Sequence, residues 1–184
     1  MRGIDIITII LLAVGLSMDA FAVSISSGII LMRPTIYHAL KIGLFFGGFQ
    51  AVMPIIGWFL GLGFKGYFSS IANWIAFGLL SLIGIKMIYE AVYSKDKAVK
   101  TEPTRLFILL MLSIATSIDA LVVGVGFALL SSSIVIPVII IGIVTFMFSF
   151  TGVFLGKRLG ELFGKKVEIT GGLILIGIGV RILL

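Results

Sequence analysis

Asp19 and Asp119 each stand near the middle of a hydrophobic stretch, and the two stretches read as copies of one segment. The first runs Gly15-Leu16-Ser17-Met18-Asp19-Ala20-Phe21-Ala22-Val23, and the second Ala115-Thr116-Ser117-Ile118-Asp119-Ala120-Leu121-Val122-Val123. In both, a serine precedes the acid by two residues and an alanine follows it. A carboxylate at the centre of a bilayer helix costs roughly 2.5–3.5 kcal/mol on insertion scales, so it needs a partner or a task. Two carboxylates at close range in a low dielectric repel, and an empty pair is expected to hold at least one proton. A divalent cation in place of that proton compensates both charges. Oxygen donors select hard ions such as magnesium, manganese or calcium, and Ser17, Thr116 and Ser117 are available to complete the coordination. Gln50 is a buried amide in another apolar stretch, able either to ligate or to bridge helices. Met18 offers a soft contact, although a methionine at such a position ordinarily only packs.

These residues need elements to hold them. The chain has 184 residues, of which 60% are hydrophobic and 12% charged, with a mean hydropathy of +1.28. A soluble domain of this size cannot hide so much apolar surface, so lipid is the expected solvent. A spanning helix takes about 20 mostly apolar residues. Six stretches fit: Ile4–Leu31, Ile42–Gly63, Ile71–Tyr93, Leu106–Leu130, Ile134–Gly156 and Val167–Leu184. The expected fold is therefore all-α, a polytopic membrane protein of six transmembrane helices in one domain over residues 1–184. Ala20-Phe21-Ala22 loosely mimics a signal-peptide cleavage site, but the acid before it and the second copy of the segment argue against processing. Cysteine is absent, which excludes disulfides and thiolate metal sites.

The net charge of +6 reflects topology rather than a nucleic-acid partner. If six helices alternate in direction, the first, third and fifth loops share one side. They hold ten basic residues: Arg33, Lys41, Lys95, Lys97, Lys100, Arg105, Lys157, Arg158, Lys165 and Lys166. The other side holds three, Arg2, Lys65 and Arg181, and Lys86 lies within the third helix towards the basic side. The positive-inside rule makes the basic loops cytoplasmic and leaves both termini outside.

The one clearly polar segment, Ser94–Arg105, reads as a cytoplasmic connector between two three-helix halves, residues 1–93 and 106–184. Beyond the acids, Gly57-Trp58-Phe59-Leu60-Gly61 answers Gly152-Val153-Phe154-Leu155-Gly156, and Leu82-Ile83-Gly84-Ile85 answers Leu175-Ile176-Gly177-Ile178. An odd number of helices per half sends the second copy in from the opposite face. Two inverted three-helix repeats result, and transporters so built bind substrate near the midplane where the repeats meet. Asp19 and Asp119 then reach similar depth from opposite sides. Small residues flank both acids, with Gly15, Ala22 and Ser26 around the first and Ser113, Ser117, Ala120, Gly124 and Ala128 around the second. Such residues let helices approach closely in lipid.

Gly47-Gly48, Pro54 and Gly57 interrupt the second stretch, while Thr145, Ser149, Thr151 and Gly152 crowd the fifth. Pro54 lacks a backbone donor and leaves a carbonyl that a kink or a cation could use. Trp58, Tyr67 and Trp74 read as anchors at the outer interface, and Tyr89 and Tyr93 at the inner one. His38, in the first loop, reads as a surface residue. Glu90 and Glu168 lie near cytoplasmic helix ends, and Glu168 would start the sixth helix at the positive end of its dipole.

The stretches Ser17-Met18-Asp19-Ala20-Phe21-Ala22, Phe49-Gln50-Ala51-Val52-Met53-Pro54-Ile55-Ile56-Gly57-Trp58, Ala115-Thr116-Ser117-Ile118-Asp119-Ala120 and Gly164-Lys165-Lys166-Val167-Glu168-Ile169-Thr170-Gly171-Gly172 resemble the bacterial MntP-type manganese efflux pumps. The resemblance covers nearly the whole chain. It implies a six-helix inner-membrane exporter of the lysine-exporter superfamily, not an enzyme, whose cargo is manganese(II) and whose intramembrane acids match Asp19 and Asp119. Some members carry an acid where this chain has Gln50, which leaves the role of that position open.

No Gly-x-x-x-x-Gly-Lys-Ser/Thr loop is present to harness nucleotide, so export needs a counter-flow. Moving one charge against 100 mV costs roughly 2.3 kcal/mol and a divalent cation about twice that, and acids that trade metal for protons provide such a counter-flow. Manganese(II), protons and the bilayer are thus the expected partners, with no cofactor and no protein partner evident. Two alternatives stand beside manganese export. One is export of cadmium or an amino acid on the same fold, although no basic residue is centrally placed to hold an amino-acid carboxylate. The other is a non-transporting, sporulation-type membrane protein in which the acids only join helices. That reading is poorly motivated, because polar pairs in membranes contribute only about 0.6 kcal/mol on average.

Overall fold

Turn-forming residues fall in short connections, and the apolar runs between them form six helices in a computed structural model. These are α1 (Ile6–Ile30), α2 (Ile36–Phe68), α3 (Ala72–Tyr93), α4 (Leu106–Leu129), α5 (Val135–Leu159) and α6 (Glu161–Leu183). The structure describes residues 5–31, 33–68, 72–93, 103–130, 132–159 and 161–183. Most of the expected connector, residues 94–102, lies outside them, as do the side chains of Tyr67, Glu90, Tyr93 and Glu168. Among the described residues four helices are long and apolar enough to cross a membrane: α1, the Ile36–Gly63 part of α2, α4 and the Val135–Gly156 part of α5. The apolar runs of α3 and α6 are shorter, Trp74–Lys86 and Ile169–Ile182.

Two helix starts differ from the hydropathy reading. Helix α2 begins at Ile36 rather than Ile42, because Thr35 and His38 cap it reciprocally. The His38 N–H donates to Thr35 Oγ1 at 3.4 Å, and the Thr35 N–H donates to His38 Nδ1 at 3.3 Å. This is the capping-box arrangement with histidine at the third helical position, and it keeps His38 at the surface. Helix α6 begins at Glu161, so Glu168 sits about two turns inside the helix, and the expected contact with its dipole end does not hold.

Helices adjacent in sequence hardly touch within each half. Instead α2 packs on α4, α1 on α5, α3 on α6 and α2 on α5, with α1 also against α6. Glycine makes each of the first four crossings possible, since in lipid close backbone approach supplies the attraction that water supplies elsewhere. A Cβ on Gly57 would strike the Leu121 carbonyl of α4, and one on Gly61 would come within 2.9 Å of the Val125 carbonyl. Gly152 and Gly156 of α5 stand likewise against the Phe21 and Ile25 carbonyls of α1. At the α2–α5 crossing, Gly47 meets the Gly142 carbonyl and Gly142 meets that of Gly47.

The α3–α6 crossing corrects one sequence correspondence. A Cβ on Gly84 would lie 2.5 Å from the Gly172 carbonyl, and one on Gly172 2.6 Å from that of Gly84. Ile176 and Ile88 occupy matching places beside them. Gly84 therefore pairs with Gly172, whereas Gly177, its counterpart by local sequence, faces open space. Apolar repetition is too permissive to fix the register of these helices. Gly84→Ala should accordingly lower the melting temperature of the purified protein. Gly177→Ala should leave it unchanged or raise it slightly, since alanine is favoured over glycine in a helix by up to about 1 kcal/mol.

Contacts at the ends agree with alternating helices. Arg181, near the end of α6, pairs with Asp5 before α1 at 2.8 Å and donates also to Thr8. Both partners of the ion pair are more than half exposed, so it contributes at most about 1 kcal/mol. At the other end the Lys41 ammonium donates to the Thr104 carbonyl at 2.7 Å, joining the first loop region to the connector. Large apolar side chains including Ile7, Leu44, Phe59, Leu82, Phe107 and Met147 point outward, as lipid-facing residues must. Trp58 departs from its expected role. It packs into the core cluster and edge-on against Phe59 at 5.5 Å rather than anchoring at an interface. Trp74 and Tyr89 are exposed, as anchors should be.

Candidate cation site

Asp19 is the fourteenth residue of α1 and Asp119 the fourteenth of α4. At 1.5 Å per residue each lies about 20 Å from the start of its helix. Asp119 is 5% exposed. Its Oδ1 accepts the Ala120 N–H at 2.8 Å, and its Oδ2 has no partner. Asp19 is half-buried. The charges of both Asp19 and Lys86 act on Asp119, so the packing of α1, α3 and α4 brings two acids and one lysine into a common electrostatic neighbourhood.

Lys86 lies inside α3, as expected, and is exposed. Its influence on Asp119 was not expected from the sequence, although the long stem of a lysine can carry its charge several ångströms along a helix.

The three hydroxyl candidates are all buried. Ser17 donates to the Val14 carbonyl at 2.9 Å, Thr116 to the Leu112 carbonyl at 3.0 Å, and Ser117 to the Ser113 carbonyl at 2.6 Å. Each spends its proton on its own helix and keeps its oxygen lone pairs for an acceptor role. Of the small residues expected around the acids, Gly15, Ala22, Ser113, Ala120, Gly124 and Ala128 are buried, but Ser26 is exposed. The stripe on α1 is thus shorter than the sequence suggested.

Gln50 is fully buried, and its Nε2 donates to the Leu16 carbonyl of α1 at 2.9 Å while Oε1 is unpartnered. It bridges helices with one end and leaves the other free to accept. Pro54 lies four residues on, within a helix that continues through it. Having no N–H, it cannot bond the Gln50 carbonyl as a helical residue would. Position 50 therefore offers oxygens from both side chain and backbone. The Pro54 carbonyl is pressed against Gly124 of α4.

Among the described residues, six buried side-chain polar atoms lack a hydrogen-bond partner: Gln50 Oε1, Asp119 Oδ2, Thr145 Oγ1, Ser149 Oγ, Ser81 Oγ and Trp58 Nε1. Such atoms are costly to leave unmade, about 1–3 kcal/mol each. Among the described residues no three of His, Asp, Glu or Cys cluster as a metal cage.

Several long apolar helices, with Asp119 buried among them, define a multi-pass membrane protein. The chain belongs to the family described as "Putative manganese efflux pump", whose model matches residues 33–183. That membership places it among transporters rather than enzymes. A protein of Crocosphaera subtropica called "Putative manganese efflux pump MntP" is 52% identical over 180 residues, covering 98% of this chain and 96% of its own. Another so called, from Methanosarcina mazei, is 55% identical over 177 residues, covering 96% and 95%. One from Clostridium botulinum, "Putative manganese efflux pump MntP 2", is 50% identical over 188 residues, covering 97% and 94%. No solved structure matches the chain.

Proposed function

We propose that this protein exports manganese(II) from the cytoplasm in exchange for protons, loading the metal between Asp19 and Asp119. The observation that carries the reading is Asp119: mid-span, buried, with one carboxylate oxygen unpartnered and a second acid near enough to act on it. Ser17, Thr116, Ser117 and Gln50 contribute neutral oxygens. The names of the relatives point to manganese as cargo, and an all-oxygen donor set suits that ion. A proton on the emptied pair replaces the departed metal and supplies the counter-flow. No resident cofactor is needed.

The architecture supporting this reading is a pair of inverted three-helix repeats, residues 1–93 and 106–184, joined by the segment 94–105. Reciprocal contacts favour it: Gly57 on Leu121 is answered by Gly152 on Phe21, Gly47 by Gly142, and Gly84 by Gly172. The site then lies where the repeats meet, as in other inverted-repeat carriers. The excess of basic residues on the connector's side favours a cytoplasmic connector and external termini in the inner membrane.

Purified protein in liposomes tests this directly, with manganese, cadmium and magnesium offered separately under an imposed pH gradient. Manganese flux that collapses when the gradient is dissipated, with internal pH changing as metal moves, is expected. Flux of cadmium alone, or manganese flux indifferent to pH, would reject the cargo or the coupling respectively.

A further inference from the structure

Seven hydroxyls in these helices, those of Ser17, Ser24, Ser27, Ser113, Thr116, Ser117 and Thr151, donate to a carbonyl one turn back. That is the ordinary way for serine or threonine to satisfy itself in a span. Thr145 and Ser149 of α5 are 0% exposed and do not do so. With Gly152 and Gly156 they form one stripe at steps of four, three and four residues. Gly152 and Gly156 lie on α1 at Phe21 and Ile25, advancing in the same direction along both helices. Stepping back three residues from Gly152 brings Ser149 abreast of about Met18, beside Asp19. The Phe21 and Phe148 rings, 5.5 Å apart, pin this section of α5 to α1. On its other side, Gly142 and Phe146 pack against Gly47 of α2, one turn from Gln50. Gly142 packs beside Gly47 and Ala51, so Thr145 lies about one turn of α5 from the level of Gln50, and Ser149 lies close to that of the first acid. The glycine correspondences across the two halves also make Thr145 the counterpart of Gln50, and Ser149 that of Pro54.

We propose that Thr145 and Ser149 are cation-binding residues, their hydroxyl oxygens completing on α5 a coordination sphere begun by α1, α2 and α4. The proposal rests on the reading of the acids as a divalent-cation site and extends it to a fourth helix. The two hydroxyl oxygens have no hydrogen-bond partner, and a hard cation is a group that would use them.

The test compares Thr145→Val, Ser149→Ala and Asp119→Asn with the unaltered full chain, using manganese(II) alone as the probe. Affinity is measured by calorimetry on purified protein, and the melting temperature is measured without metal. Each hydroxyl deletion should weaken binding by about tenfold or more, comparable to losing a supporting group in other metal sites. The metal-free melting temperature should hold or rise, because an unsatisfied polar atom has been removed. Thr145→Ser should recover the affinity. Unchanged affinity in the two deletions while Asp119→Asn loses it would overturn this proposal and leave the acid pair standing. A fall in metal-free stability with affinity intact would show that the hydroxyls only join helices. If the unaltered protein binds no manganese, the cation site and this extension fall together.

Discussion

Asp119→Asn should abolish manganese export while the protein still inserts and folds. Asparagine keeps the size of the side chain and the oxygen that accepts the Ala120 N–H; it removes the charge. Loss of a direct ligand should cost manganese affinity at least the roughly 10–100-fold that loss of a supporting group costs. Stability should move the other way. A buried carboxylate with an unpartnered oxygen is expensive to hold in an apolar interior, and neutralising it relieves that cost. Calorimetry and thermal melting on the same preparation would read both signs. A variant that loses binding because it unfolds would be recognised by its melting curve. One that transports manganese normally would refute the assignment of Asp119.

Gly57→Ala should produce the largest loss of stability for the smallest change. The added methyl would be driven into the Leu121 carbonyl of α4, a backbone atom that cannot rotate away. The helices must separate, at a cost of about 1–3 kcal/mol or more for overpacking of this kind. Gly152→Ala, its counterpart on α5, meets first the edge of the Phe21 ring at 2.8 Å, and a ring can yield. It should be milder. Gly48→Ala, with nothing near it, should be neutral or slightly stabilising in a thermal melt. Equal effects at Gly57 and Gly48 would contradict the close α2–α4 crossing.

Helix number was legible in the sequence because lipid demands long apolar runs and because Ser94–Arg105 is conspicuously polar. The matching positions of Asp19 and Asp119 along their helices were legible for the same reason, since the apolar runs set where each helix starts. Lateral arrangement was not. Glycine and alanine recur throughout, so local sequence matched Gly84 to Gly177, whereas the α3–α6 crossing sets Gly84 against Gly172. The influence of Lys86 on Asp119 was not legible, because it depends on how α3 lies against α4. Trp58 looked like an interface anchor because tryptophan so often is one; its packing into the core depends on which helix lies opposite. Thr145 and Ser149 were read as sources of irregularity in α5. What distinguishes them is the hydrogen bond they do not make, and composition cannot display that.

Anomalous scattering at the manganese edge, from crystals of the full chain grown with manganese(II), tests the central claim most directly. The account predicts one strong intramembrane peak within bonding distance of carboxylate oxygens from both Asp19 and Asp119, absent from crystals of Asp119→Asn. A peak held by other residues, or two acids that share no metal between them, would contradict it.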